Sequence, residues 1–434
     1  MEIAGVLVLI ISFILLLTFG VPISYSIGIS ALLTMLLSID SISSFTTVAQ
    51  RMATGLDSFA LLAIPFFILA GQLMNKGGIA KRLIDFAKVL LGRLPGGLAF
   101  VNILAAMCFG AISGSAVAAA SAIGGFMGER MENEGYDKNF SAAVNITSAT
   151  TGMIIPPSNI LIVYSLASGG VSIAALFIAG YLPGILVGLA LMVVAAVYSF
   201  KNKYPVGEKL TVKESVIKLL DAIPSLLLII IVIGGIVAGY FTATEASAIA
   251  VLYTFILSVV FYKEVKIKEL PKILLDSTST TAIVMLLIAA SIAMSWVMAY
   301  QNIPQNITNS LIALTDNTII ILLLLNLILL SVGTFMDMTP AVLIFTPIFL
   351  PVVTALGMDP IHFGIVMVLN LSIGLCTPPV GSVLFVGCSV ANTSIEKVIK
   401  PLLPLFVAML VSLIIVTYLP DLSLWLPKLF NLTK

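Results

Sequence analysis

The amino-acid sequence predicts an all-α polytopic membrane protein. It should be an inverted repeat of about ten full spans plus two re-entrant hairpins that enter from opposite faces. Three observations carry that expectation. Of the 434 residues, 60% are hydrophobic and 9% charged, whereas soluble domains are about half apolar and roughly a quarter charged. Two apolar blocks are too long for one crossing, and each is interrupted in its middle by polar or glycine residues. A Gly-x-x-x-Pro-Pro run occurs twice, as Gly152-Met-Ile-Ile-Pro-Pro-Ser158 and as Gly374-Leu-Cys-Thr-Pro-Pro-Val380.

A spanning helix needs about 20 apolar residues. Full-span candidates are 3–20, 21–38, 58–75, 138–168, 173–200, 222–241, 243–262, 278–300, 361–392 and 401–419. Met1-Glu2-Ile3 has no basic stretch before the first of them and no small-x-small cleavage site after it, so it reads as a retained span rather than a signal peptide. Spans 138–168 and 361–392 contain the Pro-Pro runs and are predicted to be broken. Proline lacks the N–H, and the residue before it is pushed out of the helical region. In hydrocarbon, broken backbone survives only where it is buried in protein or lines a cavity. Blocks 97–128 and 318–355 do not fit a single crossing. Each half is about 15 residues, roughly 22 Å long, and falls short of a ~30 Å core. Both are predicted to be re-entrant hairpins.

The charges test this arrangement. With the N-terminus outside and both blocks as hairpins, 18 of the 21 Lys and Arg residues fall inside, leaving Arg51, Lys428 and Lys434 outside. Counting either block as one crossing scatters the clusters to both faces, against the positive-inside tendency. The same arithmetic opens the first hairpin inward and the second outward.

The two halves, about 1–203 and 209–434, are repeats. Aligning Gly135 with Gly357 brings Asp137 onto Asp359, Gly152 onto Gly374 and Pro156-Pro157 onto Pro378-Pro379 without a gap. Gly110 of the first hairpin meets Gly333 of the second with one residue of slip. Inverted repeats with discontinuous helices near the midplane are a signature of secondary transporters. The layout that follows has scaffold helices in 1–75 and 222–300, and an amphipathic arm on the inner surface at 76–93. Its outer counterpart is 301–317. The hairpin and broken-helix units are 94–200 and 318–392, 201–221 is a Lys-rich inner link, and 393–434 is a final span and tail. No soluble domain is expected, and the lipid bilayer is the surrounding medium.

The net charge of +1 gives no argument for nucleic acid. Cys108, Cys376 and Cys388 sit in apolar context without metal-like spacing and read as free thiols. His362 is the single histidine, which argues against His-based metal or triad chemistry.

Chemistry is expected where hairpin tips meet broken helices. At the first tip, Gly110-Ala-Ile-Ser113-Gly114-Ser115, two short helices would meet at depth and expose unpaired carbonyls and N–H groups. Carbonyl and hydroxyl oxygens suit Na⁺, and helix N-termini suit an anionic group. The second tip, Gly333-Thr334-Phe-Met-Asp337, repeats the pattern with a carboxylate added. Two Na⁺ sites are predicted, one per repeat, from Gly110, Ser113, Gly152 and Ile155 and from Gly333, Thr334, Gly374 and Thr377. Substrate is placed between them, touched by Ser113, Ser115, Asn159, Asp337 and Thr377. Plainer readings stand beside these. Ser113-Gly-Ser115 is also a small-residue packing face, Asp337 a helix cap, and Asn145 and Asn370 interhelical hydrogen-bonding groups. His362 reads as a membrane-interface residue, and Glu245, in Thr242-Ala-Thr-Glu245, as first-turn helix chemistry.

Gly110–Ala118, Gly152–Asn159, Thr242–Ala246, Gly333–Pro340 and Gly374–Gly381 together resemble the large membrane subunit of tripartite ATP-independent periplasmic (TRAP) transporters, along essentially the whole chain. The resemblance implies a Na⁺-coupled importer of a small organic acid anion, of the C4-dicarboxylate or sialic acid class, working by an elevator mechanism. It implies two partners, a small four-helix membrane subunit and a periplasmic substrate-binding protein. It also implies a bacterial inner-membrane location, with both termini periplasmic in the arrangement above. Since the first span begins at Ile3, the small subunit is expected as a separate chain. A stand-alone ion-coupled carrier is the alternative. Two readings of other classes fit less well. A passive channel does not explain duplicated, inverted breaks. An intramembrane serine protease would need a base near Ser113, and the only histidine is assigned to the outer face.

Overall fold

A computed structural model describes residues 2–207, 211–315 and 317–433, with Glu2, Ile3, Ile112 and Leu314 followed along the backbone only. Lys209 and Lys434, both in the charge tally, lie outside these residues. The described chain is helical almost throughout, and its one strand-like contact is a single bridge between Pro95 and Val206.

Ten crossings are present among the described residues. Eight are essentially continuous: Glu2–Thr18, Ile23–Leu36, Phe59–Lys76, Ile173–Asn202, Val212–Val237, Ala243–Phe261, Ile267–Tyr300 and Ile395–Tyr418. Two are broken where the Pro-Pro runs fall, Lys138–Thr151 with Asn159–Ala167 and Pro360–Gly374 with Ser382–Val390. Apolar side chains such as Leu7, Val193 and Ile230 stay exposed on the periphery, as lipid-facing surfaces do, because a bilayer does not penalise them.

The hairpins are Gly97–Ser113 with Ala116–Asn133 and Thr318–Phe335 with Met338–Ala355. Their arms have 17 or 18 residues, about 26 Å at 1.5 Å per residue and longer than the expected 15. Length and hydropathy alone would let the second hairpin's arms cross. What fixes the hairpins as re-entrant is where their ends and tips lie.

At one end of the molecule, Arg82 pairs with Asp221 at 3.1 Å and Glu264 at 3.8 Å, and Lys218 pairs with Asp85 at 2.6 Å. The Asp137 N–H donates to the Tyr204 hydroxyl at 3.1 Å, and Thr393 donates to Asn139 at 2.6 Å. The first hairpin's ends belong to this group. At the other end, Gln301 donates to Ser38 at 2.6 Å and Thr244 to the Phe59 carbonyl at 3.0 Å. There too, Tyr418 donates to the Ile319 carbonyl at 2.8 Å and Tyr164 to that of Pro360 at 2.6 Å. The second hairpin's ends belong here. Yet both tips line one cavity, so each hairpin stops at depth.

The residues matched between repeats have matched structural roles. Gly135 and Gly357 adopt φ of 86° and 82°, a left-handed turn that glycine enters without steric cost. Asp137 and Asp359 each start the broken helix that follows, accepting from Phe140 N–H at 2.8 Å and Ile361 N–H at 2.7 Å. Packing crosses between the halves: Ala63–Lys76 lies on Ala243–Phe255, and Leu270–Tyr300 lies on Ile23–Leu36. Likewise Met338–Ala355 lies on Asn159–Ala167, and Ser382–Val390 on Ala116–Asn133.

Some features differ from expectation. Helices Ser41–Gly55 and Asp421–Leu429 were not foreseen. The link expected over 201–221 is shorter, because a Thr211–Glu214 capping box starts a helix at Val212. His362 does not face the surroundings of the protein. It is 1% exposed, with Nε2 3.2 Å from the Thr417 carbonyl oxygen, because Pro360–Gly374 is enclosed by helices on every side. The segments expected as arms contain helices Ile79–Leu91 and Ile303–Leu314. Glu245 forms a capping box with Thr242, as its first-turn position implies.

Candidate functional site

Each hairpin meets its own repeat's broken helix glycine on glycine. A Cβ on Gly152 would lie 2.5 Å from the Gly110 Cα, and a Cβ on Gly374 would lie 2.5 Å from the Gly333 Cα. Any side chain at these positions would separate the two backbones. The scaffold approaches as closely: a Cβ on Gly71 would lie 2.9 Å from the Ser113 carbonyl oxygen. One on Gly114 would lie 2.8 Å from Asn159 Nδ2, so the Asn159 amide rests against the first tip.

Between the two tips lies a cavity of about 260 Å³. Ser113 and Ser115 reach it from the first tip, Asp337 and Thr339 from the second, and Asn159 from the first broken helix. Thr377 does not line it. That residue is half-buried, and its hydroxyl donates to the Ile373 carbonyl at 2.8 Å. Ser115 starts helix Ala116–Asn133 and accepts from the Ala118 N–H at 3.2 Å, while the Ser113 hydroxyl lies 3.4 Å from the Ser115 carbonyl. Asp337 occupies the N-cap position of Met338–Ala355 without a side-chain cap hydrogen bond and stays exposed.

The rest of the wall comes from the scaffold. Gln72 and Asn75, one turn apart on Ala63–Lys76, and Thr280 on Leu270–Tyr300 all face the cavity. Sequence reasoning passed over these three. The signal was two amides near the end of an otherwise apolar span, where polar side chains are costly and point to function.

The breaks supply oxygen donors unequally. Among the described residues, no donor reaches the carbonyls of Gly152, Ile154 or Ile155, and this first break is largely buried. In the second break, the Gly374 carbonyl accepts from Thr377 N–H at 2.9 Å, and that of Leu375 from Val383 and Leu384 at 3.2 and 3.3 Å. The Thr334 carbonyl accepts from Gly381 N–H at 3.1 Å, and its hydroxyl donates to Leu330 at 3.0 Å. The Gly110 carbonyl accepts from Gly114 N–H at 2.9 Å. Open in the second repeat, among the described residues, are the carbonyls of Gly333, Cys376, Pro378, Pro379 and Val380 and, at the Gly381 turn, that of Thr377. A Cβ on Gly381 would lie 2.8 Å from that oxygen and 2.9 Å from the Leu375 oxygen, so the two carbonyls converge. Uncharged oxygen clusters of this kind, without a group of three or more His, Cys, Asp or Glu among the described residues, fit a hard monovalent ion better than a transition metal.

The plainer readings of two asparagines describe their contacts. Asn145 donates to the Ala120 carbonyl at 2.8 Å, and Asn370 to Asn326 Oδ1 at 2.8 Å, both between helices.

Known proteins match the chain along its length. The family model described as "Tripartite ATP-independent periplasmic transporter, DctM component" matches residues 10–422. "Uncharacterized protein YgiK" of Salmonella typhimurium is 56% identical over 425 residues, 98% of each chain. "C4-dicarboxylate TRAP transporter large permease protein DctM" of Pseudomonas aeruginosa is 41% identical over 404 residues, 93% of this chain and 94% of that one. Among solved structures, the YdaH transporter of Alcanivorax borkumensis superposes with a TM-score of 0.65 at 14% identity, covering 92% of this chain and 91% of that one. This last likeness is one of fold.

Proposed function

The chain belongs to the DctM component family of the tripartite ATP-independent periplasmic transporters, and from that premise we propose that it carries a small organic acid anion inward across a bacterial inner membrane, driven by Na⁺. The acid belongs to the C4-dicarboxylate or sialic acid class. Substrate arrives from a periplasmic binding protein, and a small membrane subunit completes the permease. The single observation that carries this reading is the cavity between two hairpin tips that enter from opposite faces, each seated on a broken helix.

The chemistry follows from that geometry. Undonated carbonyls at Gly152 and Ile155 in one repeat, and at Gly333 and Thr377 in the other, would hold one Na⁺ each. These carbonyls would join tip to broken helix through an ion and place its positive charge near a cavity that the protein itself lines with one carboxylate. The anion then binds well only when the ions are present, and that linkage is coupling. Alternating access comes from hairpins and broken helices moving as a body against the scaffold helices that bear Gln72 and Thr280.

The test is uptake into proteoliposomes containing this chain and its small subunit, with the binding protein added outside. An inward Na⁺ gradient should drive accumulation. Uptake that persists undiminished when Na⁺ is replaced by choline would rule out the coupling, and uptake independent of the binding protein would favour a stand-alone carrier.

A further inference from the structure

We propose that the cavity is built for a monocarboxylate bearing several hydroxyl groups, a sugar acid, in preference to a dicarboxylate. This inference rests on the organic-acid reading above and narrows it. Three observations on the cavity wall support it.

The first is charge. Among the described residues that line the cavity there is no Lys, Arg or His, and the one ionisable side chain is Asp337. The protein therefore offers no cationic fork of the kind that usually pairs with a carboxylate. Positive charge has to come from the coupling ions. With one cation per repeat, as proposed above, against an ionised Asp337, the site would carry a balance of +1. One substrate carboxylate cancels that balance, and a second overshoots it. At the effective dielectric of a protein site, an uncompensated pair of like charges about 5 Å apart costs on the order of a hundred-fold in affinity.

The second is hydrogen bonding. The amides of Gln72, Asn75 and Asn159 line the cavity, and none of them makes a side-chain hydrogen bond to another described residue. Each offers two N–H donors and a carbonyl acceptor. A hydroxyl donates and accepts, so vicinal hydroxyls match an amide on both counts. A carboxylate only accepts and would leave the amide carbonyls unmatched. The hydroxyls of Ser115, Thr280 and Thr339 extend the same chemistry around the wall.

The third is distribution. The donors and acceptors come from the scaffold, both tips and a broken helix, so they surround the ligand on several sides. That suits a molecule polar along its whole length, whereas a C4-dicarboxylate is polar mainly at its two ends.

The experiment is ligand-induced thermal stabilisation of the purified complex of this chain with its small membrane subunit, in NaCl and in choline chloride. The probes are two sugar acids, gluconate and galacturonate, and two dianions, succinate and malate. In Na⁺, at least one sugar acid should half-saturate at a concentration tenfold or more below either dianion, and choline should abolish the shift. Asp337→Asn removes the competing negative charge and should bring that ratio to within about threefold. If a dianion binds as well as or better than both sugar acids, the organic-acid reading stands and this inference falls. If none of the four acids gives a Na⁺-dependent shift, this inference falls, while the organic-acid reading is decided by the uptake test above. If Asp337→Asn folds, binds and leaves the ratio unchanged, the charge argument is wrong.

Discussion

Gly110 and Gly152 touch through their backbones, and Gly333 and Gly374 repeat that contact in the other half: in each pair, a Cβ on the broken-helix glycine would lie 2.5 Å from its partner's Cα. A contact between two main chains cannot be relieved by a rotamer change. The backbone itself has to move.

Gly374→Ala should therefore cut transport at least tenfold while the protein still inserts in the membrane, because hairpin and broken helix are forced apart at the proposed second ion site. Gly125 is the control. It lies within helix Ala116–Asn133, and a Cβ there meets nothing within 4 Å. Gly125→Ala should keep transport and stabilise the helix by up to about 1 kcal/mol. Uptake assays and thermal unfolding in detergent read the two outcomes side by side. Equal activity in both variants would mean that the close approach is dispensable.

Ser115→Leu should abolish transport without loss of protein from the membrane. The side chain accepts from Ala118 N–H and lines the cavity. Leucine removes the cap, worth about 1 kcal/mol, and fills space the substrate needs. Wild-type uptake by this variant would remove the first tip from the site.

Gln72→Ala should raise the half-saturating concentration of substrate about tenfold, the value of one or two hydrogen bonds at roughly 1 kcal/mol each. The concentration of Na⁺ needed should change little, because Gln72 lies on the scaffold rather than at a break. A shift in Na⁺ dependence with unchanged substrate affinity would reverse the assignment.

The opposed hairpins predict a labelling pattern in whole cells. Glu134→Cys sits at the base of the first hairpin and Leu356→Cys at the base of the second. In variants made without Cys108, Cys376 and Cys388, an impermeant maleimide should label position 356 from the periplasm and reach position 134 only in inverted vesicles. Labelling of both from one side would overturn the arrangement.

Much of this was legible because membranes constrain sequence tightly. The Pro-Pro runs located both breaks, since two consecutive prolines push the residue before each out of the helical region, whereas the separated Pro401 and Pro404 leave Ile395–Tyr418 continuous. The Lys and Arg count separated the hairpin faces before the Arg82–Asp221 and Tyr418–Ile319 contacts placed them. Side chains that matter only through tertiary placement were harder to see. Gln72 and Asn75 look like the polar end of a span until Thr280 and Asp337 turn out to be opposite them. Helix Ser41–Gly55 was hidden because its serines and threonines resemble a loop. The unequal exposure of the two breaks was not legible at all. Pro156 and Pro157 are buried and Pro378 and Pro379 exposed, although the motif is the same, because a Cβ on Gly180 would lie 2.1 Å from the Ile154 carbonyl oxygen and cover comes from that side.

The exchange of packing between halves bears on how the protein is made. Helix Ala63–Lys76 rests on Ala243–Phe255, and Ile23–Leu36 on Leu270–Tyr300, so the first half leaves the ribosome with faces that only the second half can cover. It must wait in the bilayer, unassembled, until synthesis is nearly complete. A chain severed between Asn202 and Val212 should behave as an obligate heterodimer, each fragment lost without the other.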